Sequence, residues 1–245
     1  MPQNPQSDPS GFETLEAFSH AEAFNRWLFQ KIRLWVQGQT LEIGSGIGNI
    51  SAFLLRDHTN VSLSDLRPEY CQILKKKFEN DPHLRGVYEL DLSIQDFKLI
   101  HPELLEKFDT VIALNVVEHI KEDTLAIQNA KSLLKKNGRL IILVPSGRRL
   151  YNSIDLELGH YKRYSKSKLN ELMESAGLTV TDSRYFNAAA IVGWWFAGSI
   201  LKEKIVTPAK LNLYNRLVPL FRFVDWFVAP FTGISVISVG IKNVN

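Results

Sequence analysis

A single cysteine, Cys71, stands in 245 residues. It excludes an internal disulfide and suits a reducing compartment. No stretch reaches the roughly 18 uncharged apolar residues expected of a membrane span. The nearest approach, "AAAIVGWWFAGSIL" at 188–201, is too short to cross. Positive charge is in small surplus, +3, and Lys and Arg are not gathered into one arm, so nucleic acid is not an expected partner. The one basic run, Lys75-Lys76-Lys77, falls on a helix-like stretch and reads as a solvated face. Beyond residue 11 the chain has no Pro/Gly-rich linker, no repeat and no low-complexity segment. Residues 12–245 therefore read as one domain behind a flexible tail, "MPQNPQSDPSG", which lacks the apolar centre of a signal peptide. These absences predict a soluble, cytoplasmic protein with one greasy region.

What is present is alternation. Residues 12–37 carry apolar side chains at the spacing of an amphipathic helical segment. After them, strand-like runs ("TLEIG", "VSLSD", "VYELD", "FDTVIALN", "RLIILVP") alternate with helix-like stretches at 49–57, 67–80 and 122–136, the last closed by Asn137-Gly138. That rhythm predicts a Rossmann-like α/β fold, a mostly parallel sheet with helices on both faces. A further helix over 166–176 is followed by two strand-like runs, "LTVTDSRYF" and "GISVISVGIK". Residues 187–230 between those two read as an aromatic-rich helical insertion.

Between the first strand and the first helix lies Gly44-Ser45-Gly46-Ile47-Gly48. In an open α/β sheet, ligands bind beyond the carboxyl ends of the strands, where this loop would stand. Some twenty residues on, the second strand ends in Asp65, an acceptor suited to a ribose diol. A dinucleotide loop wants Gly-x-Gly-x-x-Gly, and Asn49 occupies its third glycine position, which disfavours a nicotinamide dehydrogenase.

The Gly-x-Gly-x-Gly loop preceded by Glu42 resembles the first motif of the class I S-adenosylmethionine-dependent methyltransferases. The likeness continues in order through "YELDLS", "FDTVIALNVVEHI" and "LLKKNGRLIILVPS", over residues 40 to about 146. It implies a seven-stranded sheet with an antiparallel last strand, and S-adenosyl-L-methionine as cofactor. It assigns Glu42, Gly44, Ser45, Gly46, Gly48, Asp65, Leu66, Asp91, Leu92, Asn115 and Val116 to the cofactor site. Within that set Glu42 would orient the amino group and Asp91-Leu92 would meet the adenine. The cofactor carries no phosphate, and the loop carries no lysine.

On the acceptor side, "LGHYKRYS" at 158–165 resembles the Gly-His-x-[Arg/Lys]-Arg-[Tyr/Phe] run of bacterial small-molecule methyltransferases. His160 is the first choice for a base, with His119 and Tyr164 as further catalytic candidates. Tyr161, Lys162 and Arg163 would bind the acceptor, the two cations holding an anionic group. The plainer reading is a solvated loop that leads to a Ser165 helix cap. In ubiquinone-type O-methyltransferases a Glu-x-x-Glu-His motif with a later His holds a divalent metal. Glu118, His119 and His160 are in place here but Asn115 replaces the first Glu, so metal is the lesser reading and none is expected. Trp194 and Trp195 belong to a segment read equally as core, as a lid over an apolar or lipid-like acceptor, or as a peripheral membrane contact over 188–230. The expected reaction is O-methylation of a small or lipid-linked acceptor. Methylation of RNA and a non-catalytic cofactor-binding role are the rivals.

Overall fold

The computed structural model describes residues 9–205 and 207–243. Of the expected 1–11 tail, the first eight residues lie outside the described residues, and 9–11 open a helix, α1 (Pro9–Ser19). The single helical segment expected over 12–37 is broken in two, with α2 (Glu22–Ile32) and a 3-10 turn following α1. The break is held by Asn25, whose side-chain amide donates to the Phe18 carbonyl at 2.7 Å and satisfies a helix-end acceptor.

Seven strands then form one sheet in the order β3-β2-β1-β4-β5-β7-β6. They are β1 (Thr40–Ile43), β2 (Val61–Asp65), β3 (Leu84–Glu89), β4 (Phe108–Leu114), β5 (Leu134–Pro145), β6 (Leu178–Phe186) and β7 (Ser235–Lys242). β7 runs antiparallel to both neighbours and all other pairings are parallel, as the resemblance implied. Connecting helices are α3 (Ser51–Asp57), α4 (Pro68–Lys77), α5 (Phe97–Ile100), α6 (Asp123–Ser132), α7 (Ser153–Glu157) and α8 (Lys166–Ser175). The 187–230 segment is helical, as read: α9 (Ala190–Trp195), one π-turn and α10 (Pro208–Val228).

Alternation along the strands divides the core. Leu140, Ile142 and Val144 of β5 point to the face covered by α6 and α8, while Ile141 and Leu143 point to the face of α2, α3 and α10. The parallel strands are buried on both faces, which is why their sequences are continuous apolar runs. α6 stops at Ser132, four residues short of the expected end, because Leu134 already pairs with Phe108 of β4. α10 packs on α2, where Phe24 N donates to Asn215 Oδ1 at 3.0 Å and Lys31 meets the buried Asp225 at 3.5 Å.

Candidate active site

Strand order reverses between β1 and β4, so a crevice opens outside their carboxyl ends. The two loops that line it touch. Gly44, at φ +68, follows β1, and a Cβ there would come within 2.4 Å of the Val116 side chain that follows β4. Gly46, at φ +54, has no room for a side chain beneath Leu15 of α1. Here glycine serves both close approach and left-handed backbone. Asn49, which stands where a dinucleotide loop has glycine, donates to the Leu15 carbonyl at 2.9 Å and so ties α1 over the loop.

Asp65 closes this half of the site. Its Oδ2 accepts from Gly46 N at 2.8 Å and its Oδ1 from Arg67 N at 3.0 Å, so strand β2 fixes the loop. Burial raises its pKa above the ordinary carboxylate value, against the pull of those backbone N–H groups. An ionised carboxylate has about four lone-pair sites, and these backbone N–H groups do not fill them all. Glu42 lies on the opposite face of β1 from the apolar Leu41 and Ile43, and accepts a hydrogen bond from Ser51 Oγ of α3. Burial lifts its pKa from 4.5 to about 7. Of the other expected cofactor residues, Asn115 takes a positive φ of 54 at the crevice and Leu66 is exposed. Asp91 spends Oδ1 on Ser93, while Leu92 is buried in the core.

The raised pKa of Glu42 has a stability consequence whose sign is fixed. Between pH 4.5 and about 7 the folded chain keeps a proton at Glu42 that the unfolded chain has released. Stability therefore falls through that window, by about 3 kcal/mol in all, and is level above it. Glu42→Gln is expected to raise the melting temperature at pH 8 and to leave it near wild type at pH 4.5. An equal change at both pH values would show that burial is not what perturbs the group.

The second half of the site lies beyond β4 and β5. A 3-10 turn, Val117–His119, follows β4. The 158–165 run is laced to it and to the end of β5: Tyr161 N donates to the Glu118 carbonyl at 2.8 Å, and Tyr164 N to that of Pro145 at 2.9 Å. The run is no solvated loop, since His160, Arg163 and Tyr164 are buried, although Ser165 does cap α8 through Lys168 N. Asp155 of α7, which the sequence reading missed, organises it. Its carboxylate accepts from His160 Nδ1 at 2.8 Å and from Arg163 Nε at 2.9 Å. Burial alone would raise its pKa, but the His160 hydrogen bond and the Arg163 charge hold it below the ordinary range. The ionised carboxylate only accepts, so the imidazole carries a proton on Nδ1 and Nε2 is the nitrogen left to meet an acceptor. One signal for Asp155 was available: Asn152-x-x-Asp155 forms a capping box at the start of α7.

Other acceptor-side candidates are engaged differently from expectation. Arg163 is 3% exposed, with Nη1 donating to the Ser146 carbonyl and the guanidinium 4.7 Å from the Trp194 ring, which makes it a framework cation. Lys162 pairs with Asp123 at 2.9 Å. Tyr164 donates its hydroxyl to the same Asp123, and burial pushes its pKa far above neutrality. Trp194 donates Nε1 to the Leu150 carbonyl, whereas Tyr161 and Trp195 are exposed.

Beside His160 stand His119, 4.7 Å away ring to ring, and Glu118, wholly buried. Neither carboxylate oxygen of Glu118 has a hydrogen-bond partner among the described residues, and burial raises its pKa to about 8. One ligand atom from each of Glu118, His119 and His160 falls within 4.8 Å of the others.

A sheet of this order with a glycine loop and a carboxylate at its switch point defines a class I methyltransferase fold. A family model described as a methyltransferase domain matches residues 13–183, and the chain belongs to that family of S-adenosylmethionine-dependent enzymes. Among curated relatives, a ubiquinone biosynthesis O-methyltransferase of Xanthomonas euvesicatoria is 24% identical over 214 residues, 74% of this chain and 87% of that protein. Its Xanthomonas campestris counterpart is 26% identical over 161 residues, 58% of this chain and 65%, just under two thirds, of that protein. The solved phosphoethanolamine N-methyltransferase 2 of Haemonchus contortus, bound to S-adenosyl-L-methionine, superposes with a TM-score of 0.61 at 17% identity. That match covers 97% of this chain and 59% of the other. A methyltransferase of Archaeoglobus fulgidus superposes at 0.56 with 15% identity, over 89% of this chain and 94% of that one. At such identities the two structures speak for the fold.

Proposed function

We propose that this methyltransferase transfers the methyl group to a hydroxyl oxygen of a small or lipid-linked acceptor, in a cytoplasmic setting. The observation that supports the reading is the Asp155–His160 pair. A buried carboxylate at 2.8 Å fixes the imidazole so that Nε2 can take the acceptor's proton as its oxygen attacks the methyl carbon. Glu42, Gly44, Ser45, Gly46, Gly48 and Asp65 would hold the cofactor, with Asn115 and Val116 on the far wall of the crevice. S-adenosyl-L-methionine supplies an electrophilic methyl group on a sulfonium. The chain's own part is then to align the acceptor, exclude water and receive one proton.

A second reading, favoured by the two unpartnered oxygens of Glu118, places a divalent cation among Glu118, His119 and His160. The donor set fits such an ion, which would polarise an acceptor hydroxyl. It also revises the balance read from Asn115, because a buried carboxylate and two imidazoles meet without the missing Glu.

Both readings are tested by S-adenosylhomocysteine release with a panel of phenolic and apolar hydroxylated acceptors, before and after EDTA. His160→Ala is expected to lower turnover at least a hundredfold while S-adenosylhomocysteine affinity stays unchanged. Turnover that survives this change would overturn the proton-acceptor role. Activity lost to EDTA and restored by a divalent cation would favour the second reading.

A further inference from the structure

Among the described residues no helix is long and apolar enough to cross a membrane. Yet α10 carries apolar side chains on both its faces. Its inner face, which packs on α2, carries the buried Leu211 and Val218. Its outer face should be polar in a water-facing helix. Instead Leu213, Leu220, Phe223 and Phe227 recur at intervals that place them on one line of the helix, all exposed. Trp226, 73% exposed, and Phe231, 81% exposed just past the helix end, extend the greasy surface. Single exposed apolar residues need no explanation, but a contiguous aromatic and aliphatic face does.

We infer that the outer face of α10 docks on an anionic lipid surface. Charge chooses this occupant. Residues 187–231 contain five basic side chains, Lys202, Lys204, Lys210, Arg216 and Arg222, and two acidic ones, Glu203 and Asp225. Both acids are spent within the fold, Glu203 on Lys210 and the buried Asp225 on Lys31 and Ala188 N, and Lys204 pairs with Glu157, so Lys202, Arg216 and Arg222 carry the surplus. Arg216 lies on the same line as Leu213, Leu220 and Phe223, and both Arg216 and Arg222 are exposed. In a two-fold pairing of this face with a second copy, Arg216 would be carried into a dry interface where both acids of the segment are already engaged elsewhere. At a bilayer its stem lies among acyl chains and its guanidinium reaches the phosphates. Trp226, Phe227 and Phe231 have the amphipathic or bulky character that favours the headgroup boundary. α9 joins this segment to the acceptor half of the site, since Trp194 contacts Arg163 and Leu150. Docking would thus bring that half near an acceptor dissolved in lipid. This orientation rests on the proposed O-methylation of a lipid-linked acceptor, but the docking itself does not.

The test is flotation of the full chain with vesicles of pure phosphatidylcholine and of phosphatidylcholine containing phosphatidylglycerol, without acceptor. S-adenosylhomocysteine affinity is measured alongside as a check on folding. Wild type is expected to float with the anionic vesicles, more weakly as salt rises. Phe223→Ser with Trp226→Ser should cut binding at least tenfold on anionic vesicles. Arg216→Glu should cut it about fivefold. Protein that binds S-adenosylhomocysteine but floats with neither vesicle would overturn the proposal. So would a concentration-dependent dimer, abolished by the same serine variants, in the absence of flotation. Failure to find a methyl acceptor would leave the flotation result intact and count against the proposed reaction alone.

Discussion

Asp155→Ala is expected to lower the melting temperature by about 10 °C, the largest stability effect of any single side-chain change in the site. Asp155 is fully buried and is the carboxylate that meets both Arg163 and His160. Removing it strands a guanidinium that is 3% exposed, left among the described residues with the Trp194 ring, one backbone carbonyl and the charge of Glu118. Breaking a buried pair on one side costs about 3–5 kcal/mol, because the surviving charge is left without compensation. Arg163→Met alone should also destabilise. Combined with Asp155→Leu it should restore part of the loss, since an apolar pair of similar volume replaces two desolvated charges. A double variant as unstable as the sum of the singles would mean that the two residues do not act as a pair. Turnover should nevertheless stay low in the double variant, because His160 then has nothing to hold its tautomer.

The second large effect is on cofactor binding. Asp65→Ala is expected to weaken S-adenosylhomocysteine about a hundredfold by calorimetry, the loss of two charge-assisted contacts to a diol. The melting temperature is measured alongside, because Asp65→Ala also deprives Gly46 N and Arg67 N of their acceptor. Asp65→Asn can still accept from Gly46 N and should fall between the two. Affinity unchanged in Asp65→Ala would remove the ribose role and reduce Asp65 to a loop brace.

The sequence was most legible where local pattern and global fold demand the same residues. β6 emerges at its observed bounds, since its ends are marked by Gly177 at φ +80 and by Asn187 at φ 62. That the glycine loop, Asp65, Asn115 and Val116 meet at one crevice could be read because each follows a strand in order, named by what terminates it. The acceptor half could not, for physical reasons. Arg163 and Lys162 look like cations offered to a ligand until the fold supplies Asp155 and Asp123. Burial decides between the roles of a framework arginine and a substrate arginine, and no spacing rule encodes it. Glu118 shows the converse. In sequence it is one acid in a turn motif, and only the fold reveals that both oxygens are buried with no hydrogen-bond partner among the described residues.

The place where the α9–α10 segment leaves the sheet has a consequence for divergence. Phe186 and Ser235 are register partners on neighbouring antiparallel strands, and Ile234 N donates to the Asn187 carbonyl at 3.3 Å. The chain thus departs and returns at almost one point, a gateway already closed by the sheet. Loop entropy grows only slowly with length, so sequence of varied size can be inserted there at little cost to the strands. What a replacement must keep is a match for Phe24 and Lys31 on α2, which Tyr214 and Asp225 now cover. On the proposed roles, acceptor choice and surface attachment would be exchanged as a cassette, while the glycine loop and Asp65, on the other side of the switch point, would go on holding the same methyl donor.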